Sequence, residues 1–298
     1  MGIKIEKPSI YLGSTKLNLH SIAPKYKNVI SEKIGSKFIH IEKKKNILEM
    51  SFQASKKFLK LSKKIKFLIF VSQGQDYVLP SCAEELSEKL GLKKDTFILS
   101  ISSGCSGFVQ AINVANKLLD NKNNCGLIVC AEKYSKYIYK KDLKTRVLFS
   151  DAASATLVKF INKKNVLNTD FGFDGANSNA LKIYKNKSLQ KLEMDGNRIF
   201  LFGINNIPRS IKNVISHSSI IDKYLIHNGS KFLIDSLSKK IKNSDNKILT
   251  SFHVTGNTVS SSIPLLINLH YNKLINQNVL LSGFGVGLSW ATLLIKWY

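Results

Sequence analysis

Ser102-Ser103-Gly104-Cys105-Ser106-Gly107-Phe108 stands between an apolar run and a helical pattern. Upstream, Thr96-Phe97-Ile98-Leu99-Ser100-Ile101 is short, β-branched and aromatic, and reads as a buried strand. Downstream, Phe108, Ala111, Ile112, Ala115, Leu118 and Leu119 recur at helical spacing. Cys105 is therefore expected where a strand turns tightly into a helix, among small residues that leave room for a substrate carbonyl. The unpaired N–H groups and partial positive charge of a helix N-terminus would favour a thiolate there. Taken alone, such a cysteine reads as a small buried residue. The rest of the chain decides otherwise.

On either side of this turn, strand and helix signals alternate. The first half shows weak strand signals at residues 9–12 and 38–41, and a helix over 47–60 with Leu48, Phe52, Phe58 and Leu59 turned inward. A buried strand over 66–71, a helix over 81–90 and a strand over 126–131 complete it. The second half repeats the order: a strand end at Tyr224-Leu225-Ile226, a helix over 230–242, a strand over 248–252, a glycine turn into a helix, and a strand over 278–282. In this overlay Gly104-Cys105-Ser106 falls on Gly256-Asn257-Thr258, so both halves point a strand-to-helix turn toward a shared centre. The pattern predicts an α/β fold with largely parallel sheets and two pseudo-symmetric halves, residues 1–170 and 171–298, linked near 172–179.

At 298 residues the chain is long for one simple core and suits two packed halves. A hydrophobic content of 44% with a mean hydropathy of −0.05 describes a folded globular protein. Lys and Arg number 45 against 20 acidic residues, a formal charge of +25, but only Arg146, Arg198 and Arg209 are arginines. Nucleic-acid readers lean on arginine for bidentate contacts, so the skew argues against that class. The lysines fit compositional drift, though a basic surface still attracts acidic partners at long range. Cys82, Cys105, Cys125 and Cys130 form no C-x-x-C pair and no zinc site with histidine, which points to a reducing, cytoplasmic setting. The start of the chain lacks an apolar signal core. Residues 274–295 are uncharged, but Gly283, Gly285 and Gly287 break the run into two short strands rather than a membrane span.

His227 ends a strand and precedes Asn228-Gly229-Ser230, a helix-start pattern, and Asn257 occupies the second glycine turn. Separately, these are a structural histidine and a helix cap. Together with Cys105, at strand ends of one doubled framework, they make a candidate site. Here the sequence resembles the thiolase superfamily, most closely the 3-oxoacyl-(acyl-carrier-protein) synthase III family. Ser103-Gly104-Cys105-Ser106-Gly107-Phe108 resembles its nucleophile motif and Ile226-His227-Asn228-Gly229 its histidine motif. Gly256-Asn257-Thr258-Val259-Ser260-Ser261-Ser262-Ile263-Pro264 resembles its asparagine motif, and Gly283-Phe284-Gly285-Val286-Gly287-Leu288-Ser289-Trp290 its closing loop. Leu79-Pro80-Ser81-Cys82 and Phe149-Ser150-Asp151-Ala152-Ala153 are weaker matches.

The resemblance implies a layered α-β-α-β-α fold and a homodimer acting in fatty acid biosynthesis. It also implies a decarboxylative Claisen condensation between an acyl and a malonyl thioester. Cys105 would carry the acyl group, and His227 and Asn257 would donate hydrogen bonds to the enolate oxygen. The backbone N–H groups of Cys105 and Val286 would form an oxyanion hole. No metal, flavin or nucleotide cofactor is implied, and the partners would be acyl carrier protein and acyl-coenzyme A thioesters. Two other readings are acyl transfer to an alcohol or amine without decarboxylation, and a non-catalytic carrier-protein-binding homologue. The chain also departs from the family. Its tryptophans, Trp290 and Trp297, are at the far end, and no arginine precedes Arg146 to clamp coenzyme A. Asp142-Leu143 replaces the family's Asp-Arg pair, and Val286 replaces a glycine.

Overall fold

A computed structural model describes residues 2–185, 190–215 and 220–298. In chain order β1 (Gly2–Ile5) and β2 (Ser9–Leu12) precede a small hairpin of β3 (Thr15–Asn18) with β4 (Phe38–Ile41). Then come α1 (Ile47–Ser55), β5 (Phe67–Val71), α2 (Cys82–Lys89), β6 (Phe97–Ile101) and α3 (Gly104–Leu118). β7 (Cys125–Glu132) and β8 (Ala152–Ile161) close the first half. The second holds β9 (Val166–Phe173), the hairpin β10 (Leu181–Lys185) with β11 (Gln190–Met194), and α4 (Gly196–Val214). It ends with β12 (Lys223–Ile226), α5 (Lys231–Lys240), α6 (Ser262–His270), β13 (Asn278–Gly285) and β14 (Ser289–Lys296).

The first sheet runs β1-β8-β7-β5-β6, with β2 also on β8; the second runs β12-β13-β14-β9. Each contains a parallel pair, β5 with β7 and β12 with β13, and then adds antiparallel strands, β8 after β7 and β14 after β13. The duplication read from the sequence is thus a duplication of topology. Between the sheets lie α3 and α6. Phe108, Ile112 and Ala115 of α3, and Ile263, Leu266 and Ile267 of α6, share one core with Ile69 and Val71 of β5 and Val279 and Leu281 of β13. α1 and α2 cover the outer face of the first sheet, and α4 and α5 that of the second. Helices on both sides of two sheets give the five-layer α-β-α-β-α arrangement. A helix in the middle layer has no solvent face, which is why α3 is apolar or small almost all round at its start.

Several local expectations give way to tertiary context. The strand before Cys105 is β6, but it is the edge of its sheet and Phe97 is 51% exposed, so it is not buried. The helix from Ile47 tightens to a 3-10 turn at Lys56, which changes the period and turns Leu59 outward. Of the strand expected over 248–252, only a single bridge from Ile248 to Tyr224 forms. The Ser251 N–H goes to the Asn228 side chain at 2.9 Å instead of extending that pairing. The helical turn of the second half starts at Val259, three residues later than the overlay of Asn257 on Cys105 expects. The 170/171 division falls within β9, which pairs with β14 of the second sheet. We propose residues 162–165 as the seam between the halves.

Candidate active site

Cys105 is the second residue of α3, and the turn that carries it needs a glycine before it. Gly104 has φ +47°, and a side chain there would meet the Gln73 amide oxygen at 2.3 Å and a Val286 methyl at 2.6 Å. The second half then closes over the nucleophile. A Cβ at Gly283 of β13 would lie 2.3 Å from the Cys105 carbonyl oxygen, and one at Gly285 would lie 3.0 Å from Sγ. The hydroxyls of Ser106 and Ser289 sit 2.9 Å apart across the same contact. The closing-loop glycines are therefore where β13 of one half touches α3 of the other.

His227 follows β12. Its N–H donates to the Ser282 carbonyl (2.8 Å), and Ser230 caps α5 just beyond it. The ring is buried, edge-on to Phe284 with centroids 5.8 Å apart, and Nδ1 has no partner among the described residues. Burial lowers its pKa to about 4, so the imidazole is neutral at physiological pH. Asn257 is pinned by the first half: its N–H donates to the Leu148 carbonyl and its carbonyl accepts the Ser150 N–H, both at 2.8 Å. Its side-chain Oδ1 accepts the Val259 N–H at 2.8 Å, which leaves the amide NH2 to donate. Val259 itself sits at φ +53°, a strained conformation for a β-branched residue and one of the kind that collects at functional sites.

His227, Asn257, Phe149, Phe284 and Gly285 form the floor of a cavity of about 800 Å³, and Gly285 is the residue packed on Cys105 Sγ. Two of the three sequence-derived side chains, His227 and Asn257, thus line one cavity, and Cys105 lies against its lining residue Gly285. Val286 lies beside them. It is absent from the described residues with positive φ, so its replacement of a glycine imposes no strain. The Val286 N–H has no backbone partner among the described residues.

One expectation about Cys105 is reversed. Burial pushes its thiol well above the usual range, the nearby Glu132 pushes it further, and its own backbone N–H only partly offsets them. Glu132 is itself fully buried and raised to about 8 by burial, with one oxygen taking the Gln73 N–H at 3.1 Å. Cys105 therefore rests as a thiol. The sequence reading also missed the mouth of the cavity, which exposed Val29, Lys33, Lys144 and Phe232 surround. Nothing distinguished Lys33 or Lys144 among so many lysines. Neither tryptophan lines the cavity: Trp297 is in the core, and Trp290 bonds Asp170 at 2.9 Å.

Comparison with known proteins agrees with this geometry. Residues 99–175 match the profile of 3-oxoacyl-[acyl-carrier-protein (ACP)] synthase III, and residues 215–297 match that of its C-terminal part. The beta-ketoacyl-[acyl-carrier-protein] synthase III of Streptococcus agalactiae serotype III is 32% identical over 290 residues, 90% of each chain. That of Enterococcus faecalis is 31% identical over 287 residues, 89% of each chain. The crystal structure of a 3-oxoacyl-(acyl-carrier protein) synthase from Burkholderia xenovorans superposes with a TM-score of 0.91 at 25% identity, over 100% of this chain and 94% of that one. With more than half of its length matched by the two profiles and relatives of this closeness along nearly all of it, the chain belongs to the beta-ketoacyl-[acyl-carrier-protein] synthase III family, enzymes of the thiolase superfamily that carry out decarboxylative acyl condensation.

Proposed function

We propose that Cys105 accepts an acyl group from a thioester and passes it to the enolate of a malonyl thioester, in fatty acid biosynthesis. The observation that supports this most directly is the common cavity floor of His227 and Asn257, ending at Gly285 on the Cys105 sulfur. In the first step sulfur attacks the acyl carbonyl, its proton leaves with the departing thiol, and a Cys105 thioester remains. Next, C–C cleavage of the malonyl group releases CO2 and leaves the electron pair on the enolate. His227, neutral and buried, and the free NH2 of Asn257 donate to the enolate oxygen, where charge develops. The enolate carbon then attacks the Cys105 thioester. The N–H groups of Cys105 and Val286 hold the tetrahedral oxyanion, and the thiolate leaves and is reprotonated. The high thiol pKa favours that last proton uptake.

The donor is proposed to be carried on an acyl carrier protein in preference to coenzyme A. Lys33 and Lys144 are exposed cations at the mouth, and neither tryptophan is there to clamp an adenine nucleotide. An acidic carrier is drawn to a chain of charge +25. CO2 release, measured with one acyl group on coenzyme A or on carrier protein, should give a higher kcat/KM for the carrier. That advantage should shrink as salt rises. Acyl transfer without CO2 would overturn the condensation, and equal values at every salt concentration would overturn the carrier preference alone.

A homodimer is proposed from the free edge of β6. That edge carries Phe97, and the nearby loop exposes Tyr77, Val78 (79%) and Leu79 (85%). An apolar, unpaired strand edge is a template for pairing, and a second copy of the same strand satisfies it. Light scattering should give twice the 33.4 kDa chain mass, and Phe97→Asp should lower it toward one chain. A monomeric parent protein would remove the proposal. The four free, buried cysteines suit a cytoplasmic setting.

A further inference from the structure

The turn that carries Asn257 is not the end of a regular strand. The segment before it makes one bridge, at Ile248, and Asn257 makes one more, to Phe149. Gly256 donates its N–H to the Phe38 carbonyl of β4 at 3.1 Å. A closed set of hydrogen bonds completes the attachment. The His40 N–H donates to Ser150 Oγ at 3.1 Å, Ser150 Oγ lies 2.7 Å from Thr255 Oγ1, and Thr255 Oγ1 lies 2.9 Å from His40 Nδ1. Ser150 and Thr255 are fully buried, and each hydroxyl has one proton. Satisfying both assigns the direction: Ser150 donates to Thr255, and Thr255 donates to Nδ1. Nδ1 must then carry no proton, which a neutral ring allows. Burial first, and Lys16 opposite on β3 second, hold the His40 ring below its usual pKa, so it is neutral at physiological pH.

Both hydroxyls act on the same short stretch. Thr255 precedes Asn257 by two residues, and Ser150 donates its own backbone N–H to the Asn257 carbonyl at 2.8 Å. None of His40, Ser150 and Thr255 lines the cavity, so none meets a substrate there. We infer that Thr255 is a positioning residue for decarboxylation: its hydroxyl, joined to Ser150 and His40, sets the turn so that the Asn257 amide faces the enolate oxygen. This rests on Asn257 being an enolate donor. A donor stabilises charge only where its N–H is aimed, and a misplacement of about 1 Å can cost about 10²-fold in rate. Acylation of Cys105 does not use that amide, so the effect belongs to the second step alone.

The test follows CO2 release from a malonyl thioester and acylation of Cys105 side by side. Thr255→Val keeps the side-chain shape and removes the hydroxyl. It should lower kcat for CO2 release about 10–100-fold, leave KM for the malonyl thioester within about twofold, and spare acylation. Thr255→Ser, which restores a hydroxyl, should recover most of the rate. In an Asn257→Ala background Thr255→Val should cost at most about twofold more, because a residue acting through Asn257 has no amide left to aim. Ser150→Ala opens the same ring of hydrogen bonds from its other side, should behave as Thr255→Val does, and carries the comparison if Thr255→Val does not fold. Release of CO2 at the parent rate by either folded variant would overturn the inference while leaving Asn257 as a donor. Equal losses in acylation and CO2 release would overturn it too, as would the full loss from Thr255→Val in the Asn257→Ala background. Parent rates in Asn257→Ala itself would bring down the donor assignment and this inference with it.

Discussion

Replacing Cys105 by alanine is expected to abolish acyl transfer, with a loss of about 10⁴-fold or more, since removing a covalent nucleophile leaves only binding and oxyanion stabilisation. The substitution is mild for the fold. Cys105 is small, its neighbours Gly283 and Gly285 already press against its backbone and side chain, and the alanine methyl occupies the Cβ position those glycines accommodate. The intact mass of the parent protein should rise by one acyl group after incubation with an acyl thioester. That of Cys105→Ala should not, while circular dichroism stays unchanged. A variant that still forms 3-oxoacyl product at the parent rate would show that another residue carries the acyl group.

Removal of either enolate donor should act one step later. His227→Ala and Asn257→Ala are each expected to slow CO2 release by about 10²–10³-fold, the usual effect of losing one oxyanion donor, and to slow Cys105 acylation less. The pH dependence separates a buried imidazole from a solvated one. Its pKa is lowered to about 4, so His227 takes up no proton as the pH falls from 8 through 6.5. The rate of CO2 release should therefore show no inflection near 6.5 that His227→Ala removes. Such an inflection would place the ring in water. Parent rates of CO2 release in both variants would remove the donor assignment altogether.

What the sequence made legible was local or periodic. Cys105 and His227 each follow a short apolar run that forms a strand, β6 and β12, whereas the run before Asn257 yields only one bridge. Long-range packing was not legible. Whether β6 is central or at an edge depends on which strands flank it, and 96–101 reads the same either way. Leu59 follows helical spacing until the backbone tightens at Lys56, a change with no marker in composition. The acidity of Cys105 follows the same rule. A helix N-terminus is visible in the sequence and lowers a thiol pKa. The burial that raises it, with Glu132 beside it, comes from residues assembled only by the fold.

The doubled sheet has a consequence for how such a site can diversify. Two identical subunits related by a twofold axis must carry the same residue at equivalent positions, so a nucleophile on one side compels a nucleophile on the other. Joining the two copies in one chain lifts that compulsion. One turn, at Gly104, is free to carry a thiol, and its counterpart, opened by Asn257 and Val259, is free to carry an amide donor and a strained backbone. Mutations in either turn are inherited separately, so attack and charge stabilisation can be tuned independently while the shared scaffold stays fixed. A symmetric pair of half-length chains could not make that division of labour.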